Sequence, residues 1–148
     1  MEHNPLENRL SEILRNGIAN EEVRRKGMLL ACREKFAAAW MTDRFGLPWQ
    51  VRDYQRDSLE SRAERKVHCD GRDVGKTAEI EIIACWAMLA YPDSEMMIAT
   101  QCENHLFPLM NRLVRRFQTT PEFAPSLVEM RRSPSWHFRF SNNFVLWG

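Results

Sequence analysis

The chain has 148 residues, 44% of them hydrophobic and 28% charged, with five Trp and eight Phe. That is the composition of one globular domain with a modest core, and it excludes a disordered or low-complexity chain. Lys and Arg total 21 against 20 for Asp and Glu, a formal net charge of +1, so no global positive field points to nucleic acid.

Residues 5–16, "PLENRLSEILRN", place Leu6, Leu10, Ile13 and Leu14 on one helical face, with Gly17 as a stop. A second helical run is predicted from Asn20, as N-cap, to Arg44, ending at Gly46. Residues 1–46 thus read as a helical N-terminal arm. After Leu47-Pro48, "WQVRDYQRDSLESRAER" predicts a short third helix, and Lys66–Cys69 a short strand. "AEIEIIACWAMLAY" is apolar over most of its circumference, as in a helix buried against a sheet, and Pro92-Asp93 ends it. "EMMIAT" has the pattern of a buried strand of a parallel sheet. Leu106, Leu109, Met110, Leu113, Val114 and Phe117 then mark an amphipathic helix with its arginines outside and Pro108 in its first turns. Finally Trp136, Phe138 and Phe140 alternate, and Asn142-Asn143 is expected to form a two-residue hairpin turn into Phe144–Trp147. Strands alternating with helices predict an α/β fold.

Cys32, Cys69, Cys85 and Cys102 form no Cys-x-x-Cys pair, and His3, His68, His105 and His137 are scattered. Neither a zinc site nor a disulfide framework is legible, and reduced, buried thiols are expected. Met1–Asn8 is polar and shows no signal peptide, while the longest apolar stretch, Ile82–Tyr91, covers about half a bilayer. These features predict a cytoplasmic protein that does not enter a membrane.

The chemistry concentrates in "KVHCDGRDVGKTAEIEI", Lys66–Ile82. A phosphate-binding loop needs a strand, a tight glycine-containing turn and a helix, so that successive backbone N–H groups and the positive end of the helix dipole converge on phosphate oxygens. The predicted strand 66–69, turn 70–75 and helix from Lys76 supply that order. Gly75 would let the backbone approach, Lys76 would reach the β- and γ-phosphates, and Thr77 would offer its hydroxyl to Mg²⁺. The full pattern G-x-x-x-x-G-K-[ST] fails because Asp70 stands where its first glycine belongs, with Gly71 one place late.

"GRDVGKT" resembles the deviant Walker A loop of viral DNA-packaging terminase large subunits, in which an Arg precedes Gly-Lys-Thr or Gly-Lys-Ser. Upstream, "VRDYQRDSLES" resembles that family's adenine motif, an aromatic-Gln pair followed by a leucine, here Tyr54, Gln55 and Leu59. "PWQ" at 48–50 is a competing candidate for the same motif. "EMMIATQCENHLFPLMNRL" and "RRSPSWHFRFSNNFVLWG" are similar to the strand, helix and hairpin that follow the loop in terminases, so the resemblance spans Pro48–Gly148.

The resemblance implies a P-loop NTPase of RecA/ASCE-like type, a three-layer α/β/α core that is incomplete here, over residues 47–148. It implies ATP held by Gly71, Arg72, Asp73, Val74, Gly75, Lys76, Thr77 and Ala78, with Gln55 and Tyr54 at the adenine, Mg²⁺ on Thr77, and Arg72 and Lys76 as catalytic residues. Arg72 would stabilise charge that develops in phosphoryl transfer. Asp73 departs from the neutral or basic residue usual in the family, although a helix N-terminus favours an acid. The partners implied are double-stranded DNA, a terminase small subunit, a portal protein and other copies in a ring.

A Walker B strand, four apolar residues ending in Asp and then Glu, is not found, and nor is the family's nuclease domain. A fragment or split gene product holding the first half of an ATPase, without turnover by itself, is therefore expected. Its incomplete sheet would expose apolar surface, with Trp136, Phe138, Phe144 and Trp147 the residues concerned. A superfamily 2 helicase-like translocase and a non-catalytic nucleotide-binding or interaction module remain as alternatives. Six Arg against three Glu over Met96–Gly148 give a local basic bias, with Arg112, Arg115, Arg116, Arg131 and Arg132 as candidate DNA contacts.

Overall fold

A computed structural model of the chain describes residues 21, 23, 25–43, 45–61, 63 and 75–148. The predicted helix at 5–16, the Asn20 cap, the strand at 66–69 and the turn at 70–74 lie outside the described residues. Within them the fold is mixed α/β: helix α1 (Arg33–Trp40), α2 (Asp53–Glu60), α3 (Lys76–Ala90), strand β1 (Glu95–Met97), α4 (Glu103–Thr119), a 3₁₀ turn (Ala124–Ser126), β2 (Leu127–Arg131), β3 (His137–Phe140) and β4 (Val145–Trp147). Residues 25–30 are also helical.

The run expected to be one helix from 20 to 44 is broken at Cys32, whose backbone is extended. The break has a tertiary cause. Glu60, at the end of α2, places Oε1 where it accepts from the Glu34 N–H at 3.1 Å, capping the start of α1 from a distant segment. Arg33 meanwhile stacks its guanidinium 4.0 Å from the Trp86 ring centre. Phe36, fully buried, stacks on Phe123. Helix α1 thus shares the core of residues 47–148, although the sequence assigned it to a separate arm.

One four-stranded sheet, in the order β1-β4-β3-β2, is present among the described residues. β1 pairs with β4 in parallel, and β4 with β3 and β3 with β2 antiparallel, so the sheet is mixed. β2 was not anticipated. Its register slips at Val128, between Leu127 and Glu129, which hides the alternation a strand would show. Among the described residues β1 lies at the edge of the sheet, paired in parallel as expected, here with β4, but not buried: Met97 is 75% exposed.

Trp136, Phe138, Phe140 and Leu146 point to one face and are buried. Phe117 of α4 meets Phe138 and Phe140 edge-on, with centroids 5.5 and 4.9 Å away. Phe107 of the same helix contacts Trp136, and Met110 lies against Gly148. Helix α3 joins the same hydrophobic cluster through Ile82, Cys85 and Met88. The opposite sheet face carries Glu129, Arg131, His137, Arg139 and Trp147, joined by Glu129 ion pairs to Arg131 and Arg139 and by His137 against Trp147. Among the described residues, then, the sheet has helices on one face. Trp136, Phe138 and Phe144, expected to be at risk of exposure, are each at least 96% buried within this chain.

The hairpin between β3 and β4 uses three loop residues, Ser141, Asn142 and Asn143, rather than two. Phe140 and Phe144 are bonded across it at 3.0 Å, and Asn143 is left-handed at φ 60°. The asparagines are there for α3 as much as for the turn. Asn142 Nδ2 donates to the Met88 carbonyl at 2.7 Å, and Asn143 Nδ2 to Asp93 Oδ1 at 2.9 Å, tying the end of that helix to the hairpin.

Candidate functional site

Helix α3 begins at Gly75, its N-cap, which adopts φ 93°, ψ 20°. This left-handed conformation is natural only for glycine. The Glu79 N–H closes the first turn on the Gly75 carbonyl at 3.0 Å. Lys76 and Thr77 are exposed in that turn, Ala78 is half-buried, and the N-terminal N–H groups of the helix point the same way. Gly71, Arg72, Asp73 and Val74 lie outside the described residues.

Gln55, in the first turn of α2 and 20 residues away in sequence, lies against this glycine. Its Nε2 donates to the Gly75 carbonyl at 3.2 Å, and its Oε1 accepts from the Arg52 N–H at 3.2 Å. A Cβ on residue 75 would fall 2.6 Å from that Nε2. Gln55 is 5% exposed, so burial holds its amide in place. An amide carries two N–H donors and two acceptor lone pairs, and the bonds to Gly75 and Arg52 use one of each. A second tie runs one turn along, where the Ser58 hydroxyl donates to the buried Glu79 carboxylate. Helix α2 thereby fixes where α3 starts.

Beside Gln55 and Gly75 opens a cavity of about 290 Å³, lined also by Pro48, Trp49, Gln50, Arg52 and Ala78. It is roomy enough for a purine ring. Both segments proposed from sequence for adenine, 48–50 and Gln55, border the same space. Tyr54 does not line it: its ring is half exposed, and its hydroxyl accepts from the Arg52 guanidinium at 2.8 Å.

The wall carrying Trp49 is a tight loop. Asp43 Oδ1 accepts from the Phe45 and Leu47 N–H groups, Gly46 turns at φ 80°, Thr42 bridges to Pro48, and the Trp49 N–H donates to the Met41 carbonyl. Behind it lies an ion-pair group that the sequence did not reveal. Glu81 of α3, 1% exposed, accepts from Arg116 Nε of α4 at 2.6 Å and lies 3.2 Å from Arg112. Arg112 and Arg116 are four residues apart on α4 and can reach one carboxylate. Of the arginines expected on an outward DNA-facing surface, Arg115 is exposed as expected. Arg116 is not: its side chain is 16% exposed and engaged by Glu81. The sequence signal was two Glu, 79 and 81, inside an otherwise apolar helix, each of which needs a polar partner across the interface once buried.

Among the described residues no group of three or more His, Cys, Asp or Glu side chains is arranged to hold a metal ion, and no helix is long and apolar enough to cross a membrane. No protein-family model matches the chain, and no curated protein matches it.

Proposed function

We propose that the chain binds ATP as the nucleotide-binding part of a viral terminase large subunit, the motor that packages double-stranded DNA, with the base in the cavity beside Gln55 and the phosphates over the start of α3. The observation that supports this most is the contact between Gln55 and Gly75. Two residues chosen separately from sequence, one for adenine and one for phosphate, meet at the N-terminus of one helix. The remaining donor and acceptor of the Gln55 amide match the N6/N7 pattern of adenine, and Trp49 offers an aromatic surface.

Lys76 supplies a positive charge for the β- and γ-phosphates. The Thr77 hydroxyl would be the protein's ligand to Mg²⁺, which would supply charge neutralisation for the phosphates. Arg72, Gly71, Asp73 and Val74 complete the loop in this reading, with Arg72 and Lys76 acting on the transferred phosphoryl group. A P-loop core of RecA/ASCE type, a ring of copies, a small subunit and portal as partners, and the host cytoplasm as location belong to the same proposal.

The test is titration of a fluorescent ATP analogue against the wild type, Lys76→Ala and Gln55→Ala. Loss of a charge-assisted contact to phosphate weakens binding by roughly tenfold or more in Lys76→Ala. Gln55→Ala narrows any preference for ATP over GTP. Equal affinity of the wild type and Lys76→Ala refutes the reading and leaves an interaction module.

A further inference from the structure

We propose that Arg116 is a positioning residue for the nucleotide base, a strut that holds the Trp49 wall of the cavity at a fixed distance from the start of α3. The inference rests on the base lying in that cavity, as proposed above, and adds which residue sets its geometry. Three contacts of one side chain carry it. Arg116 Nε donates to Glu81 Oε1 at 2.6 Å, its NH1 donates to the Thr42 hydroxyl at 3.3 Å, and its guanidinium carbon lies 5.4 Å from the Trp49 ring centre.

Each partner belongs to a part of the site. Glu81 stands one turn beyond Ala78 on α3, and Ala78 and Gly75 form one wall of the cavity. Thr42 and Trp49 stand at the two ends of the loop that makes the opposite wall. A planar guanidinium can satisfy a carboxylate along one edge, bond a hydroxyl along another and still offer its face to an aromatic ring, which an ammonium cannot do. Glu81 is 1% exposed, so its charge has to be compensated inside the protein and the strut stays engaged. The Trp49 wall is thereby tied to α3, and the strut sets the width of the base slot between them.

Arg116→Lys keeps a cation for Glu81 and gives up the contacts to Thr42 and Trp49. A Glu81→Met/Arg116→Met double variant removes the strut without leaving a buried charge, an exchange that folded proteins commonly tolerate. The affinities of both for ATP and for inorganic tripolyphosphate, which has no base, are measured by calorimetry on the full chain, alongside melting curves that show each variant folded. Aromatic stacking on a base is worth enough that both variants lose about tenfold in ATP affinity while tripolyphosphate binding changes by less than about twofold. Unchanged ATP affinity in Arg116→Lys, or equal losses for the two ligands, overturns the positioning role while the ATP reading stands. Failure of the wild type to bind ATP removes the ATP reading and this inference with it.

Discussion

Substituting Gly75 by alanine tests the geometry at the start of α3 without any ligand. At φ 93° an L-residue costs about 1–2 kcal/mol relative to glycine. The new Cβ would fall 2.6 Å from Gln55 Nε2, well inside any real contact, so the amide must withdraw. Withdrawal breaks the bond to the Gly75 carbonyl, which keeps the Glu79 N–H, and costs the buried Gln55 amide a partner, at a further ~1–2 kcal/mol. The sum is about 3 kcal/mol, equivalent to a fall of roughly 10 °C in Tm for a chain of this size. Urea denaturation monitored by tryptophan fluorescence gives the value, and the partner variant Gln55→Ala makes the measurement sharper. In Gly75→Ala/Gln55→Ala no other described residue beyond its chain neighbours lies within 4 Å of the Cβ, so the two substitutions together cost less than the sum of their separate costs, by about 1 kcal/mol or more. A loss below about 0.5 kcal/mol in Gly75→Ala, or strict additivity in the cycle, would refute the packing of Gln55 on Gly75.

Two further outcomes concern titration and thiol chemistry. The Arg56 guanidinium, hydrogen-bonded to Glu34, lowers that carboxyl's pKa, and Arg139 does the same for Glu129. A folded-state pKa below the unfolded one gives stability that is present above the ordinary carboxylate value and lost as pH falls through the folded value. Glu34→Gln and Glu129→Gln should therefore destabilise the protein at pH 7 and converge with the wild type below about pH 4 in pH-resolved melting curves, whereas a constant gap down to pH 3 contradicts the pairing. Burial, with the Glu81 charge nearby, pushes the Cys85 thiol up, while Cys102 is exposed. Iodoacetamide on native protein should alkylate Cys102 well before Cys85, read by peptide mass mapping. Equal rates would place Cys85 outside the core.

Of the thiols expected to be buried, Cys85 is buried and Cys32 half-buried, while Cys102 is exposed for a reason visible only in three dimensions. It is the N-cap of α4, at a crevice by the ends of β1 and β4. The helices at 53–60, 76–90 and 103–119 were legible because their apolar positions and stop signals are local. Gly75 before Lys76 and Pro92 after Tyr91 bracket α3, and Leu109, Leu113 and Phe117 form one stripe on α4. β2 was hidden by its register shift, and the helix break at Cys32 by the fact that its cap, Glu60, is remote in sequence.

The amino-acid order by itself determined the helices at 53–60, 76–90 and 103–119, where the aromatic face of the hairpin lies, and that a glycine-lysine-threonine turn opens an apolar helix, because periodicity and backbone preference act within a few residues. Tertiary structure alone decided that β1 runs parallel to β4 at one side of a mixed sheet, that Arg116 turns inward to Glu81, and that Gln55 rests on Gly75. The physical reason is common to all three. Strand order, the partner of a buried charge and the fit of an amide against a glycine are set by packing between segments far apart in the chain, and local sequence does not say which segments meet.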